Sequence, residues 1–556
     1  MHDDLVTQLP RRSVWNGWGD PDMVKPLPSA AWPALRKLRG IEPAAVDTPS
    51  VDIESVSLPE IALTTDDLEA LRAVVGAEHV DTERLARLEH SGGKSYADLY
   101  RMRSGDGSHA PDAVVFPAET AEVSSLLAVC AERSIAVVPF GGGTSVVGGV
   151  DPMRGRFTSV ISVDLRRLDA LISVDAESKT AVLQPGMRGP RAEAALRPHG
   201  LTIGHFPQSH QQATVGGYLV TRSAGQASSG YGRFEENVVA ATIATPTGTL
   251  ELGGRTPALA TAAGPRLLDT IIGSEGLLGI VTELTVQCHP EPTEFDQRAW
   301  GFPSFDAAAG AYRALAQELG HGVMPDVSRL SDADETLVVL GQSGPGLATL
   351  GYLRARGWSE PALGVLQWED TDKRNLAYRQ RTAKRILSAH RGVRLPKTIA
   401  EHWMSRRFAG PYQRDYLMDR GIFVETLETA TTWSNLFNLY SQVRAAITTA
   451  LGPNVLIQCH VSHLYTGGAS LYFTMLSRAE ADPLAQWRRL KQSAGDAIVS
   501  AGGTITHHHA VGTDHRRWVG HEMGAGDRIL RAVKNELDPV GILNPGKLLP
   551  DATEER

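Results

Sequence analysis

What most constrains this chain is a series of glycine-rich loops, each set against a short apolar segment, between residues 141 and 279. Of the 55 glycines in 556 residues, 22 lie in that quarter of the chain. They follow no collagen-like period, so they mark tight turns or backbone that approaches a ligand closely. The first loop, Gly141, Gly142, Gly143, Thr144 and Ser145, follows a buried-strand pattern over 135 to 140 that ends in Pro139 and Phe140. Successive N–H groups flanked by two hydroxyls suit an anion nest, although a flexible turn accounts for this loop equally well taken alone. No Gly-Lys-Ser/Thr follows, which excludes a Walker loop, and Val146 stands where a dinucleotide fingerprint needs its last glycine.

Three further loops shift the balance. One runs from 207 to 217 and contains Gln208, Ser209, Thr214, Val215, Gly216 and Gly217. The next holds Thr221, Arg222, Ser223 and Ala224, and the last holds Ser274, Glu275, Gly276, Leu277, Leu278 and Gly279 before a strand opens at Ile280. So many small-residue loops in one domain exceed what turn chemistry needs. They suit a long ligand lying against backbone, with hydroxyls and N–H groups on a pyrophosphate.

The chain reads as α+β in four parts. Residues 1–108 read as mostly helical, with proline joints at Pro26, Pro28 and Pro33 and a compact aromatic turn, Trp15 to Gly19, that serves packing. From 109 to 292, strands are predicted at 113–116, 135–140, 171–174, 180–184, 238–245, 249–251 and 280–288. Thr120 caps a helix with Val123, Leu126, Leu127 and Cys130 at helical spacing. A second α+β part is predicted over 293–500, with strands at 423–429, 455–462 and 469–475 and a helix around 433–451. Residues 501–556 carry a histidine run and an amphipathic helix near 528–537.

The net charge of −8 and the absence of a Lys/Arg block argue against nucleic acid as a partner. Cys130, Cys288 and Cys459 are too few and too scattered for a disulfide framework or a cysteine zinc site, and suit a reducing compartment. No apolar run reaches membrane-spanning length, Met1 to Asp4 carries no secretory signal, and Glu554 to Arg556 is not a peroxisomal tripeptide. A cytoplasmic location is expected, with a peripheral membrane role left open.

Seven of the 18 histidines, at 460, 463, 507, 508, 509, 515 and 521, crowd into one stretch. They form either a polar, catalytic wall or a solvated loop. His460 and His463 are three apart in a predicted strand and so face opposite sides, and His507 to His509 offer no helical i, i+4 pair, so no metal site is expected. Tyr472 shares a strand face with Ser470 and Thr474, while Leu471 and Phe473 take the other. That face is either solvent or a cavity wall on which a phenol beside a histidine acts as acid or base. Arg414, by itself, reads as an ion-pairing residue on a surface helix.

The loops in this order resemble the FAD-binding domain of the vanillyl-alcohol-oxidase-type flavoproteins. Over nearly the whole length, beginning at Trp15, the chain resembles the alkyldihydroxyacetonephosphate synthases, also called alkylglycerone-phosphate synthases. The resemblance implies a two-part FAD-binding domain and an α+β substrate, or cap, domain that carries an antiparallel sheet. FAD would lie on residues 139–145, 208–209, 214–217, 221–224 and 274–280, non-covalently, because the first glycine loop holds no histidine. The stretch 464–473 resembles the family's strand with its essential tyrosine, which falls on Tyr472. The stretch 506–512 resembles its histidine tract, which falls on His507, His508 and His509. The substrate-phosphate arginine falls on Arg414, whose fork matches a phosphate bidentately. The implied reaction exchanges the acyl chain of acyl-dihydroxyacetone phosphate for a fatty alcohol. It passes through an adduct at flavin N5 with no net redox and gives an ether-lipid precursor. A lipid substrate, an apolar tunnel and a homodimer at a membrane surface are implied with it.

The chain departs from that family at Ala510 and Thr513, where a glycine and a lysine are usual, at Thr466 in place of an acidic residue, and at Gln208 in place of an aspartate. Its ending, 541–549, is more similar to flavin-dependent 2-hydroxy acid dehydrogenases. An FAD-dependent dehydrogenase or oxidase of a 2-hydroxy acid is therefore the second reading, although Tyr472 stands where those enzymes place a metal-binding histidine. A flavin-stabilised binding protein without turnover is the third.

Overall fold

A computed structural model describes residues 6–549 except 8, 11–13, 29–30, 46, 257, 320–322 and 343–344. The terminal segments read above for targeting signals lie outside these residues. Two sheets build the cofactor side. In the first, Val80–Asp81, Ala113–Val115, Ser159–Asp164 and Ile135–Phe140 lie in that order, and the last three are parallel. The helix Thr120–Arg133 covers this sheet with Val123, Leu126, Leu127 and Cys130, all fully buried. Its cap is Glu119 rather than Thr120: Thr120 already has helical geometry, and no side chain bonds the first turn. The second sheet is antiparallel, in the order Leu171–Asp175, Thr180–Leu183, Ile280–Gln287, Val238–Thr245 and Gly248–Leu252.

The third sheet is antiparallel throughout and has seven strands. Their order is Val393–Arg394, Glu294–Phe302, Ala362–Asp370, Val327–Ser331, Leu456–Val461, Gly468–Arg478 and Ile422–Thr432. The molecule is thus α+β, as expected, with a large antiparallel sheet in its second half. The first four of these strands carry no clear sequence signal. Ala362–Asp370 is buried at every position but its last, so no polar face marks a two-residue period.

Alternation along this sheet decides where the site lies. Phe423, Leu427, Cys459, Leu471, Phe473 and Met475 point into the largest core, against the helices Phe305–Glu318, Leu436–Leu451 and Pro483–Ser500. Residues one step out of phase, among them Val424, Gln458, Tyr472 and Thr474, face a cavity shared with the glycine loops. Among the described residues, no helix is long and apolar enough to cross a membrane.

Candidate active site

The cavity has a volume of about 660 Å³ and lies between the glycine loops and the open face of the seven-stranded sheet. Pro139, Phe140, Gly141, Gly142, Gly143, Thr144, Ser145, Gln208, Ser209, Thr214, Gly216, Gly217, Thr221, Ser223, Ala224, Glu275, Gly276, Gly279 and Ile280 line it. Five other positions expected at the cofactor stand behind this wall. Val215, Leu277 and Leu278 are buried in the core of the five-stranded sheet, Ser274 is buried beside them, and Arg222 turns outward to Glu235.

These loops bring bare glycine backbone to the cavity wall, which suits an extended cofactor, and they pack so closely on one another that only glycine fits. A Cβ on Gly142 would collide with the Gln212 carbonyl oxygen and lie 2.7 Å from Ala213 Cα, and one on Gly141 would collide with Thr214 Oγ1. The first loop is anchored from below. Asp164, fully buried, accepts from Arg166 and bonds His90 Nε2 at 2.9 Å, and the His90 ring packs 4.2 Å from that of Phe140. Burial pushes the Asp164 carboxyl up, but His90 and Arg166 more than reverse this and bring it to about 2.

Opposite the loops stands an aromatic wall. The Tyr472 ring lies between His460, at 4.9 Å, and His508, at 6.0 Å, each within 19° of parallel, with His509 edge-on at 5.5 Å. Burial pushes the Tyr472 phenol up to about 12, against a hydrogen bond with Thr426, so it is protonated at neutral pH. Burial likewise holds the His460, His463, His507, His508 and His509 rings below the ordinary histidine range, so they are neutral there.

Two carboxylates from different parts of the fold hold the histidine tract. Glu428, directly across the strand pair from Tyr472, accepts from Thr506 Oγ1 at 2.6 Å and from the backbone N–H of His507, His508 and His509 at 2.6, 3.1 and 3.0 Å. Burial acts to raise its pKa, but the donors it faces along the histidine tract and the Thr506 hydroxyl outweigh it and keep the group well below its usual range. Glu275, from the last glycine loop, accepts from Val511 N–H at 2.8 Å and Gly512 N–H at 2.7 Å. The tract therefore ties the cofactor loop to the sheet that carries Tyr472. Ala510, where the resembled family has glycine, sits at φ +70°, a left-handed conformation that costs an alanine roughly 1 kcal/mol relative to glycine.

Arg414 is not a surface ion-pairing residue. It belongs to the helix Gly410–Met418 and lines the cavity, where its Nη1 donates to the Lys94 carbonyl at 2.6 Å. Its Nε and Nη2 are shielded from solvent and have no hydrogen-bond partner among the described residues. Trp18, read from sequence as packing, also lines the cavity, with its ring 5.9 Å from the Arg414 guanidinium and its backbone N–H donating to Asp415 Oδ2 at 2.7 Å.

The expectation for His460 and His463 is also corrected. Their strand ends at Val461, so alternation does not carry to 463, and both line the cavity. Nitrogens of His463, His507 and His508 lie within 4.8 Å of one another, a grouping with metal-ligand spacing that the sequence reading did not foresee. His507 itself does not line the cavity and stands behind His508. Sequence reasoning missed Glu428, Arg233, and the Arg329–Glu335 pair that brackets His460. For Glu428 and Arg329 the local signal was a charged residue inside a strand, whereas Arg233 lies in a loop and Glu335 in the helix Ala333–Gln342.

Comparison with known proteins agrees with this fold. Residues 111–253 match the family described as FAD binding domain, and residues 292–548 match FAD linked oxidases, C-terminal domain. The chain is 32% identical, over its whole length and 95% of the relative's, to an alkyldihydroxyacetonephosphate synthase of Dictyostelium discoideum. It is 30% identical, with the same coverage, to one of Trypanosoma brucei brucei. A solved alkyldihydroxyacetonephosphate synthase structure superposes with a TM-score of 0.82 at 28% identity, covering 96% of this chain and 98% of the other. Loops, sheet and both domain matches define an FAD-linked oxidase fold with FAD as its indicated cofactor. Within it, the chain belongs to the alkyldihydroxyacetonephosphate synthase family.

Proposed function

We propose that this protein exchanges the acyl chain of an acyl-dihydroxyacetone phosphate for a fatty alcohol. The products would be the ether-linked phosphate and one fatty acid, with no net oxidation or reduction. The observation that carries this reading is Arg414, which lines the cavity that Tyr472 and the glycine loops share and has two guanidinium nitrogens without a hydrogen-bond partner among the described residues. A guanidinium fork of this kind binds a phosphate bidentately.

FAD, when bound on the glycine loops, supplies the carbon chemistry of the exchange. The chain's own residues position the substrate and move protons. Arg414 fixes the phosphate. The protonated Tyr472 Oη and the neutral His508 ring form the pair through which a proton passes at the reacting carbon. A neutral imidazole beside the phenol can donate its N–H and so stabilise the phenolate left when Tyr472 gives up its proton. The cavity continues between the helices Ala31–Arg39 and Ala333–Gln342, where Leu35, Leu337, Val338 and Leu417 give it apolar walls suited to an alkyl chain.

Arg414→Ala tests the reading. Charge-assisted hydrogen bonds are worth about 1.5–3 kcal/mol, so KM for the phosphorylated substrate should rise roughly 10- to 150-fold while bound FAD stays at the wild-type level. An unchanged KM would count against the phosphate role. Turnover of a D-2-hydroxy acid with a dye acceptor, and none of the acyl substrate, would support the dehydrogenase reading instead.

A further inference from the structure

The histidine tract has a polarity that its neighbours dictate. His507 Nε2 lies 3.0 Å from Arg233 Nη1 and 2.6 Å from the Tyr465 hydroxyl. A guanidinium donates hydrogen bonds and never accepts them, so the nitrogen facing Arg233 carries a lone pair rather than a proton. A doubly protonated ring would set an N–H against a cation, so His507 is neutral with its proton on Nδ1. That nitrogen is 3.0 Å from His508 Nδ1. Of two nitrogens at this distance one donates and one accepts, so His508 Nδ1 accepts. The proton of His508 is then on Nε2.

Glu428 does not reverse this order. Its nearest oxygen is 3.6 Å from His508 Nδ1, beyond hydrogen-bond distance, and its acceptor sites serve Thr506 and three backbone N–H groups. Arg233 is itself held in place. Its Nε donates to Glu235 at 2.7 Å, and its Nη2 to the carbonyls of Arg222 at 2.6 Å and His507 at 3.0 Å. The same arrangement occurs on the other side of Tyr472, where Arg329 Nη1 lies 3.1 Å from His460 Nε2 and Glu335 faces Nδ1 at 3.2 Å.

We propose that Arg233 is a positioning residue that locks His507 as its Nδ1–H tautomer and thereby makes His508 an Nε2–H donor beside Tyr472. The inference rests on the site described under the proposed function, but its readout is independent of turnover, so each can fail alone. It also settles the trio of His463, His507 and His508. A protonated His507 Nδ1 has no lone pair for a metal and the Nε2 lone pair faces Arg233, so His507 does not join His463 and His508 in a cation site.

The test is long-range proton–nitrogen correlation NMR on the FAD-loaded full chain with nitrogen-15 histidine, which separates protonated from bare ring nitrogens. His507→Asn and His508→Asn serve only to assign the signals. The expected spectrum shows His507 protonated at Nδ1 and His508 at Nε2. In Arg233→Met, where Tyr465 can donate or accept, His507 should become a mixture of tautomers, and Arg233→Lys should restore the single form. A wild-type His507 protonated at Nε2 would overturn the proposal without recourse to any variant. So would an unchanged single tautomer in a folded, FAD-loaded Arg233→Met. Zinc that binds the wild-type chain stoichiometrically and is lost in His507→Ala would overturn it as well.

Discussion

Replacing Glu428 by glutamine removes a charge from the centre of the fold and changes almost no volume. In the wild type, Oε1 accepts from Thr506 Oγ1, His508 N and His509 N, and Oε2 accepts from His507 N. Glutamine has one oxygen for two clusters of donors. Its better orientation keeps the oxygen on the three-donor side and turns its NH₂ against the His507 N–H, where the wild-type contact is 2.6 Å. One charge-assisted bond, worth about 1.5–3 kcal/mol, is lost, and the stranded N–H costs about 1–3 kcal/mol more. The expected destabilisation is therefore about 2.5–6 kcal/mol, the sum of these two effects. His508 and His509 would then lose their fixed register against Tyr472, and turnover should fall by roughly 100-fold or more, the scale of a positioned acid–base group. Urea unfolding gives the stability, flavin absorbance gives the cofactor load, and product formation gives the rate. Glu428→Asp, which keeps the charge, should recover part of both losses. A Glu428→Gln protein with wild-type unfolding midpoint and turnover would refute the view that this carboxylate holds the tract.

Other consequences are as direct. Tyr472→Phe keeps the ring stack and should retain FAD while losing roughly 100- to 10,000-fold in turnover; full activity would remove Tyr472 from the chemistry. Gly142→Ala forces the first and second glycine loops apart at the Gln212 carbonyl, costs about 1–3 kcal/mol, and should show as FAD lost on gel filtration; a fully loaded variant would contradict the close approach. The Asp164 carboxyl lies at about 2 when folded against 3.8 as its ordinary value. Because the folded value is the lower one, its contribution is present above about pH 4 and lost as pH falls toward 2, a change of about 2 kcal/mol at 1.36 kcal/mol per unit. Asp164→Asn should flatten that part of the stability–pH curve measured by urea unfolding, and identical slopes in the two proteins would contradict the assignment.

Much of the cofactor side was legible because its signals are local. A glycine loop follows its strand within a few residues, and 135–140, 171–175, 238–245 and 280–287 all show apolar runs or alternation that survive in the fold. Tyr472 was legible for the same reason, since Leu471 and Phe473 fix the core face and leave Tyr472 on the other. The strand Ala362–Asp370 was not, because a strand buried on both faces has no alternation to read. Arg414 was placed by family resemblance alone; its local sequence looks like any exposed helix, and burial comes from Lys94 and Trp18, hundreds of residues away in the chain. His463 was misread because the strand ends at Val461 and the chain turns back, with Ser470 N–H on the His463 carbonyl at 3.1 Å. Glu428 was invisible as a clamp because its four donors lie 78 to 81 residues further on.

The central claim, ether formation without net redox, is tested most directly by incubating the FAD-loaded protein anaerobically with acyl-dihydroxyacetone phosphate and a fatty alcohol, with no electron acceptor, and analysing the products by mass spectrometry. The expected result is an ether-linked dihydroxyacetone phosphate and free fatty acid in equal amounts over many turnovers. Absence of the ether product, together with conversion of a D-2-hydroxy acid to its 2-oxo acid and reduction of an added dye, would contradict it.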